Sequence, residues 1–209
     1  MYDEQTKIEQ QWFAKQFATH KATLIQDTDR YFAADWRRAD GSGDYYVNFI
    51  VDKKRGSLII SGDLGDCIAT WYNELTPAKL CSFIRHNIGY FISKFQASSD
   101  KYVYDEDDVL VDIKKHFKEC GIEIDAGPDY PNEGEYYWEL VRDEVSNSCD
   151  GNSFHPTERL IELIKEYDND YWEWLCYCGK RIHKRVYLWV YAFEKMLKQL
   201  GYIGGNKNA

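Results

Sequence analysis

Apolar positions alternate with two different periods along this chain, and the change of period divides it. Ile8, Trp12, Phe13 and Phe17 recur at near-helical spacing, which predicts a helix over residues 3–20. A short apolar run from Ala22 to Gln26 predicts a first strand. Tyr45–Val51 is β-branched and aromatic, Asp52–Gly56 is polar and ends in glycine, and Ser57–Ser61 is apolar again. That pattern predicts a β-hairpin, with residues 62–73 carrying the chain out of the sheet.

After Thr76-Pro77, a helix cap followed by a first-turn proline, the period becomes helical. Leu80, Phe83, Ile84, Ile88, Phe91, Ile92 and Phe95 predict one long amphipathic helix. A second helix is expected from about Asp105 to Glu119, acidic in its first turn and basic in its last, as the helix dipole favours. Gly121–Gly134 holds two Pro and three Gly and reads as a boundary. Short helices over 135–145 and 157–166 and a final helix over 180–200 follow. The expected fold is α+β: a small antiparallel sheet, with its hairpin at about 45–61, covered by helices, and a mostly helical C-terminal half. The expected division is an α+β lobe over 1–120 and an acidic, helical lobe over 121–209 ending in a basic helix, or one continuous domain.

Composition sharpens this picture through charge. Residues 100–175 hold 22 Asp and Glu against 7 Lys and Arg, whereas residues 1–99 balance at 12 of each. Residues 176–209 hold 7 Lys and Arg against Glu194 alone, and the whole chain is at −9. Such a field repels nucleic acid and membrane over the acidic stretch and attracts basic surfaces, which nucleic-acid-handling proteins commonly carry. With no basic, apolar leader at the start and no apolar stretch of about 20 residues, a cytoplasmic protein is expected. Its six cysteines are then expected as thiols or metal ligands.

Three constellations are candidates for chemistry. Cys149, His155, Cys176, Cys178 and His183 are the ligand types of a tetrahedral structural zinc, split over two clusters. The Cys-Tyr-Cys spacing departs from the two-residue gap of most zinc knuckles, and buried core cysteines are the competing reading. Gly62-Asp-Leu-Gly-Asp66 follows an apolar strand where hydrolases place metal-binding aspartates, but a turn capped by Asp63 or Asp66 explains the spacing as well. The run Lys180, Arg181, Lys184, Arg185 could meet phosphates, or pair with the chain's own Asp168, Asp170 and Glu173. No phosphate-binding loop or dinucleotide fingerprint is present.

Three segments remain: Tyr102–Asp108, the Asp/Glu/Tyr/Trp-rich Asp129–Glu144, and Tyr167–Glu173. In composition and layout they resemble the surfaces of anti-CRISPR and other phage or mobile-element inhibitors. That group shares no fold. The resemblance implies a non-catalytic protein that presents carboxylates where a CRISPR effector nuclease expects phosphates, acting in the host cytosol. The candidate partner-binding residues are Asp105, Glu106, Asp107, Asp108, Asp129, Glu133, Glu135, Asp168, Asp170 and Glu173. The balanced N-terminal half and basic C-terminal end depart from a pure nucleic-acid mimic. A metal-dependent hydrolase using Asp63 and Asp66, and a zinc-stabilised nucleic-acid-binding module, stay open as alternatives.

Overall fold

A computed structural model describes residues 11–124 and 133–204. The chain is α+β and divides into two compact units: Met1–Lys101 with Lys184–Ala209, and Tyr102–His183. The boundary expected at Gly121–Gly134 falls inside the second unit.

The first unit is built on a six-stranded antiparallel meander in the order β1-β2-β3-β4-β5-β6. Its strands are β1 (His20–Asp27), β2 (Tyr31–Arg38), β3 (Val47–Asp52), β4 (Ser57–Gly62), β5 (Cys67–Thr70) and β6 (Phe95–Ser98). Alternation decides which face is covered. Phe32, Ala34 and Trp36 on β2, Val47, Phe49 and Val51 on β3, Leu58 and Ile60 on β4, and Cys67 and Ala69 on β5 are all buried. Against them packs α7 (Lys184–Gln199), whose Leu188, Trp189, Phe193 and Met196 are buried, and α2 (Pro77–His86) packs in turn against α7. Burying so many Phe, Trp and Ile side chains, each worth about 1.5–3 kcal/mol, supplies most of the drive to fold.

The predicted hairpin is present as β3–β4. Four expectations are corrected here. Residues 62–73 do not leave the sheet, because Cys67–Thr70 pairs with Ser57–Ile60 as β5. The long helix after Pro77 is broken. Asn87 takes an extended conformation (φ −149°), and its side chain accepts from Tyr90 N to start a short α3 (Ile88–Ile92). Phe95 then enters β6. Residues 11–16 are helical (α1), but 17–19 turn and His20 begins β1, so the first helix ends early; residues 3–10 lie outside the described residues. The final helix begins at Lys184 rather than Lys180, since Lys180–Ile182 is a strand, β8.

The second unit pairs β8 with β7 (Tyr102–Tyr104) and packs three helices around one core. These are α4 (Glu106–Glu119), α5 (Glu133–Ser148) and α6 (Glu158–Lys165). Val109, Ile113 and Phe117 of α4 meet Val141 and Val145 of α5 and Leu160 and Ile164 of α6, all buried. Thr157 caps α6 by accepting from Leu160 N at 3.0 Å. The buried Tyr137 hydroxyl donates to Leu163 O at 3.0 Å, tying α5 to α6 without leaving an unpaired polar group.

Candidate binding surface

Charge follows the division into units. Tyr102–His183 carries 21 Asp and Glu against 8 Lys and Arg, a formal −13, and the remainder carries 14 against 18, a formal +4. Each of the carboxylates expected to meet a partner has its own setting.

Asp105 is the N-cap of α4, its Oδ1 accepting from Asp107 N (3.0 Å) and Asp108 N (3.3 Å). Asp108 and Asp112, one turn apart on α4, hold Arg181 of β8. Asp112 takes the guanidinium with both oxygens, at 2.8 and 3.0 Å, and Asp108 sits at 3.1 Å. The hydrogen bonds from Arg181 hold the Asp112 carboxyl below the usual aspartate range against the opposing effect of burial, and they raise Arg181. Asp112 also accepts from Gly179 N at 2.8 Å. Only glycine fits there: φ is +70°, and a Cβ would lie 2.2 Å from Val109 Cγ2.

Asp168 is likewise turned inward. Its Oδ2 accepts from His116 Nε2 (2.8 Å) and Trp174 Nε1 (2.9 Å), and its Oδ1 from Asp170 N (2.8 Å). The His116 ring stacks on Trp174 at 3.9 Å. Burial would raise the Asp168 carboxyl, but these bonds together hold it below the usual value. Cys120 Sγ lies 3.5 Å from the same Nε2. A nucleophile–base relay uses both ring nitrogens, one for the nucleophile and one for the orienting carboxylate, so this cluster is arranged as a structural clamp.

Glu106, Asp107, Glu135, Asp170 and Glu173 are exposed. Asp129 lies outside the described residues, and of Glu133 only the backbone, which starts α5, is described. Within the Tyr- and Trp-rich acidic segments, sequence reasoning did not single out Glu139 and Asp143, also exposed, or the individual aromatic side chains that reach the surface. Tyr136 is 61% exposed, Trp172 63% and Tyr177 65%. Tyr136, Glu139 and Asp143 stand at i, i+3 and i+7, so the helical period of α5 was the signal that groups them on one face.

The proposed zinc ligands are not brought together. Among the described residues, no three His, Cys, Asp or Glu side chains are placed to share a metal ion. Cys149 begins an isolated bridge to Phe154, with Asp105, Glu106 and Asp150 as its charged neighbours. Cys176 is exposed in a 3-10 turn, while Cys178 is buried and its thiol is pushed up to about 12 by that burial. His155 is exposed, and His183 precedes α7. Asp63 serves the first unit's backbone: its Oδ2 accepts from Tyr45 N at 2.8 Å, supporting a non-glycine residue at φ +56°. Asp66 meets Ser99 Oγ through its backbone N–H at 3.0 Å. The basic run is divided, with Lys180 and Arg181 on β8, where Lys180 Nζ lies over the Tyr102 ring at 4.3 Å. Lys184 and Arg185 open α7, and Lys184 Nζ lies 3.7 Å above the Trp12 ring.

Fold and surface together define an α+β protein whose smaller unit is strongly acidic and whose described residues contain no helix long and apolar enough to cross a membrane. Residues 37–199 match the phage family Phage_phiTE_072, and the chain belongs to that family. No curated protein and no solved structure matches it.

Proposed function

We propose that this phage-family protein is a non-catalytic inhibitor whose acidic unit binds a basic, nucleic-acid-handling protein, most concretely a CRISPR effector nuclease, and blocks nucleic-acid loading. The observation that carries the reading is the sorting of charge by folded unit, −13 on Tyr102–His183 against +4 on the rest. Membership of a phage family supports it, because a phage gene product meets host defence nucleases, whose grooves are basic. Asp105, Asp108 and Asp168 hold the unit in shape. Glu106, Asp107, Glu135, Glu139, Asp143, Asp170 and Glu173 present the charge, with Tyr136, Trp172 and Tyr177 supplying apolar area of the kind that anchors interfaces. No cofactor is required.

The test is a panel of purified effector nucleases, each loaded with guide and assayed for target binding with and without this protein. Inhibition of at least one member is expected, and it should be lost when Glu106, Asp107, Glu135, Asp170 and Glu173 are all changed to Lys. Inhibition that survives this reversal, or a panel on which the protein has no effect, would contradict the reading.

A further inference from the structure

The face of the six-stranded sheet opposite the buried one is not the polar surface an antiparallel sheet usually shows to water. The strand registers place Ala33 opposite Ile50, Ile50 opposite Ile59, Ile59 opposite Ile68, and Ile68 opposite Ala97. Directly paired residues share a face, so these five side chains form one apolar row across β2 to β6, perpendicular to the strands. Ile59 is 39% exposed and Ile68 43%. The rows on either side are mostly short and polar: Tyr31, Asp52, Ser57 and Thr70 on one, Asp35, Asn48 and Ser61 on the other. Their two carboxylates are engaged already. Asp52 pairs with Arg30 at 3.3 Å, and Asp35 accepts from Tyr46 Oη and Asn48 Nδ2 at 2.8 Å each.

From this row we infer that the open face is an interface with a second copy of this chain. Three observations favour that occupant. Read across the sheet, the row is Ala-Ile-Ile-Ile-Ala, the same from either end, with Ile59 of β4 at its centre. A two-fold axis along β4 sets Ile59 against its own counterpart, Ile50 against Ile68 of the second copy, and Ala33 against Ala97 of the second copy. This self-matching is what a closed two-fold interface demands. The same operation places Asp52 against the Thr70 hydroxyl of the second copy, so no carboxylate is driven against another. Size is also adequate. Five strands, each about 4.8 Å wide, and three rows, each about 7 Å deep, cover roughly 500 Å² in projection. Two such faces remove about 1,000 Å² from water, the lower bound for a specific contact, which makes the pair reversible rather than permanent. The near-absence of unpaired charge in the three rows matches the core of a protein interface and suits neither nucleic acid nor a strongly charged partner.

Sedimentation of the full chain across a concentration series tests this. A monomer–dimer equilibrium with a dissociation constant in the micromolar range is expected, as befits a contact of about 1,000 Å². Ile59→Lys and Ile59→Glu should each weaken dimerisation at least tenfold, because each brings like charges together at the axis. An equimolar mixture of the two should pair more tightly than either alone. Circular dichroism and melting of both variants check that the exposed site tolerates the change. A parent protein that stays monomeric up to about 200 µM, well above the range of such a contact, overturns the inference without reference to any variant. So does a dimer that folded Ile59→Lys and Ile59→Glu leave unchanged.

Discussion

The two units solve the same problem of covering a core with different materials. In the first, the sheet spreads backbone pairing over six strands, and helices bring Trp189, Phe193 and Met196 down onto one face. Its charges are nearly balanced, and pairs such as Arg85–Glu194 at 3.2 Å sit at its surface. In the second, three helices carry the core, and the carboxylates are divided between two tasks. Asp105, itself exposed, caps α4, and Asp108, Asp112 and Asp168 clamp and orient backbone and side chains, whereas Glu106, Asp107, Glu135, Asp170 and Glu173 lie exposed. A net charge of −13 therefore misstates what a partner meets. Asp108 and Asp112 share the Arg181 cation and Asp168 is turned to hydrogen-bond donors inside the unit, so the exposed carboxylates make most of the field.

The comparison can be broken first in the core. Phe193→Ala removes a fully buried ring that meets Phe49 at 5.0 Å. It should cost about 3–5 kcal/mol, measured by denaturant unfolding, through lost burial and the cavity left behind. A cost under about 1 kcal/mol, typical of surface sites, would mean the sheet is not packed as described. In the acidic unit, Gly179→Ala forces an alanine to φ +70° with its Cβ against Val109. A loss of about 2 kcal/mol is expected from backbone strain and contact together, visible as a lower melting temperature.

Arg181→Ala should have a smaller effect, about 1 kcal/mol, because the guanidinium is partly solvated and its attraction is screened. Its signature is pH. Asp112 is held below its ordinary value of 3.8, so the pair's contribution is complete above that value and is lost as pH falls through the lower folded value. The parent should therefore lose stability below about pH 4 more steeply than the variant, since Arg181 is the largest cause holding Asp112 down and only the Gly179 N–H and Lys115 remain to do so in the variant. Parallel stability–pH curves for the two would remove the clamp from the account. Asp105→Ala is expected to cost a similar or slightly smaller amount, about 0.5–1 kcal/mol, by uncapping α4, while Glu106→Ala and Asp107→Ala each cost only about 0.3 kcal/mol, the lost attraction to the helix dipole. Equal losses from all three substitutions would erase the distinction between the carboxylate that caps α4 and the two beside it.

Where pattern and local chemistry coincided, the fold was legible in the residues. Thr76-Pro77, Asp105 and Thr157 are caps because their side-chain oxygens serve neighbouring backbone N–H groups, a purely local matter. The β3–β4 hairpin was visible for the same reason. Elements fixed by distant partners were not. β2 alternates Phe32, Ala34 and Trp36 inward, but its Ala and Asp residues weaken the strand signature until β1 and β3 flank it. β8 looks like the start of a basic helix, and it becomes a strand only by pairing with Tyr102–Tyr104, nearly eighty residues earlier. Apolar spacing runs unbroken through Asn87, where the side chain caps a new helix instead of continuing the old one. For the candidate surface, composition marked residues 100–175 as acidic, most of which lie in Tyr102–His183, but it set the lobe boundary at 121–134 and could not separate Asp108 and Asp168 from Asp107 and Asp170. One residue along α4 decides whether a carboxylate faces Arg181 or water, and two residues separate Asp168, on His116, from the exposed Asp170.

The central claim is that the outward carboxylates of the acidic unit make the protein's functional contact. The most direct measurement is the association rate with an inhibited effector nuclease between about 0.05 and 0.5 M salt, over which screening shortens from beyond 10 Å to a few Å. The account predicts a steep fall, of at least tenfold, that largely disappears when Glu106, Asp107, Glu135, Asp170 and Glu173 are changed to Lys. A rate that is flat across this range, or equally steep in the reversed variant, would contradict it.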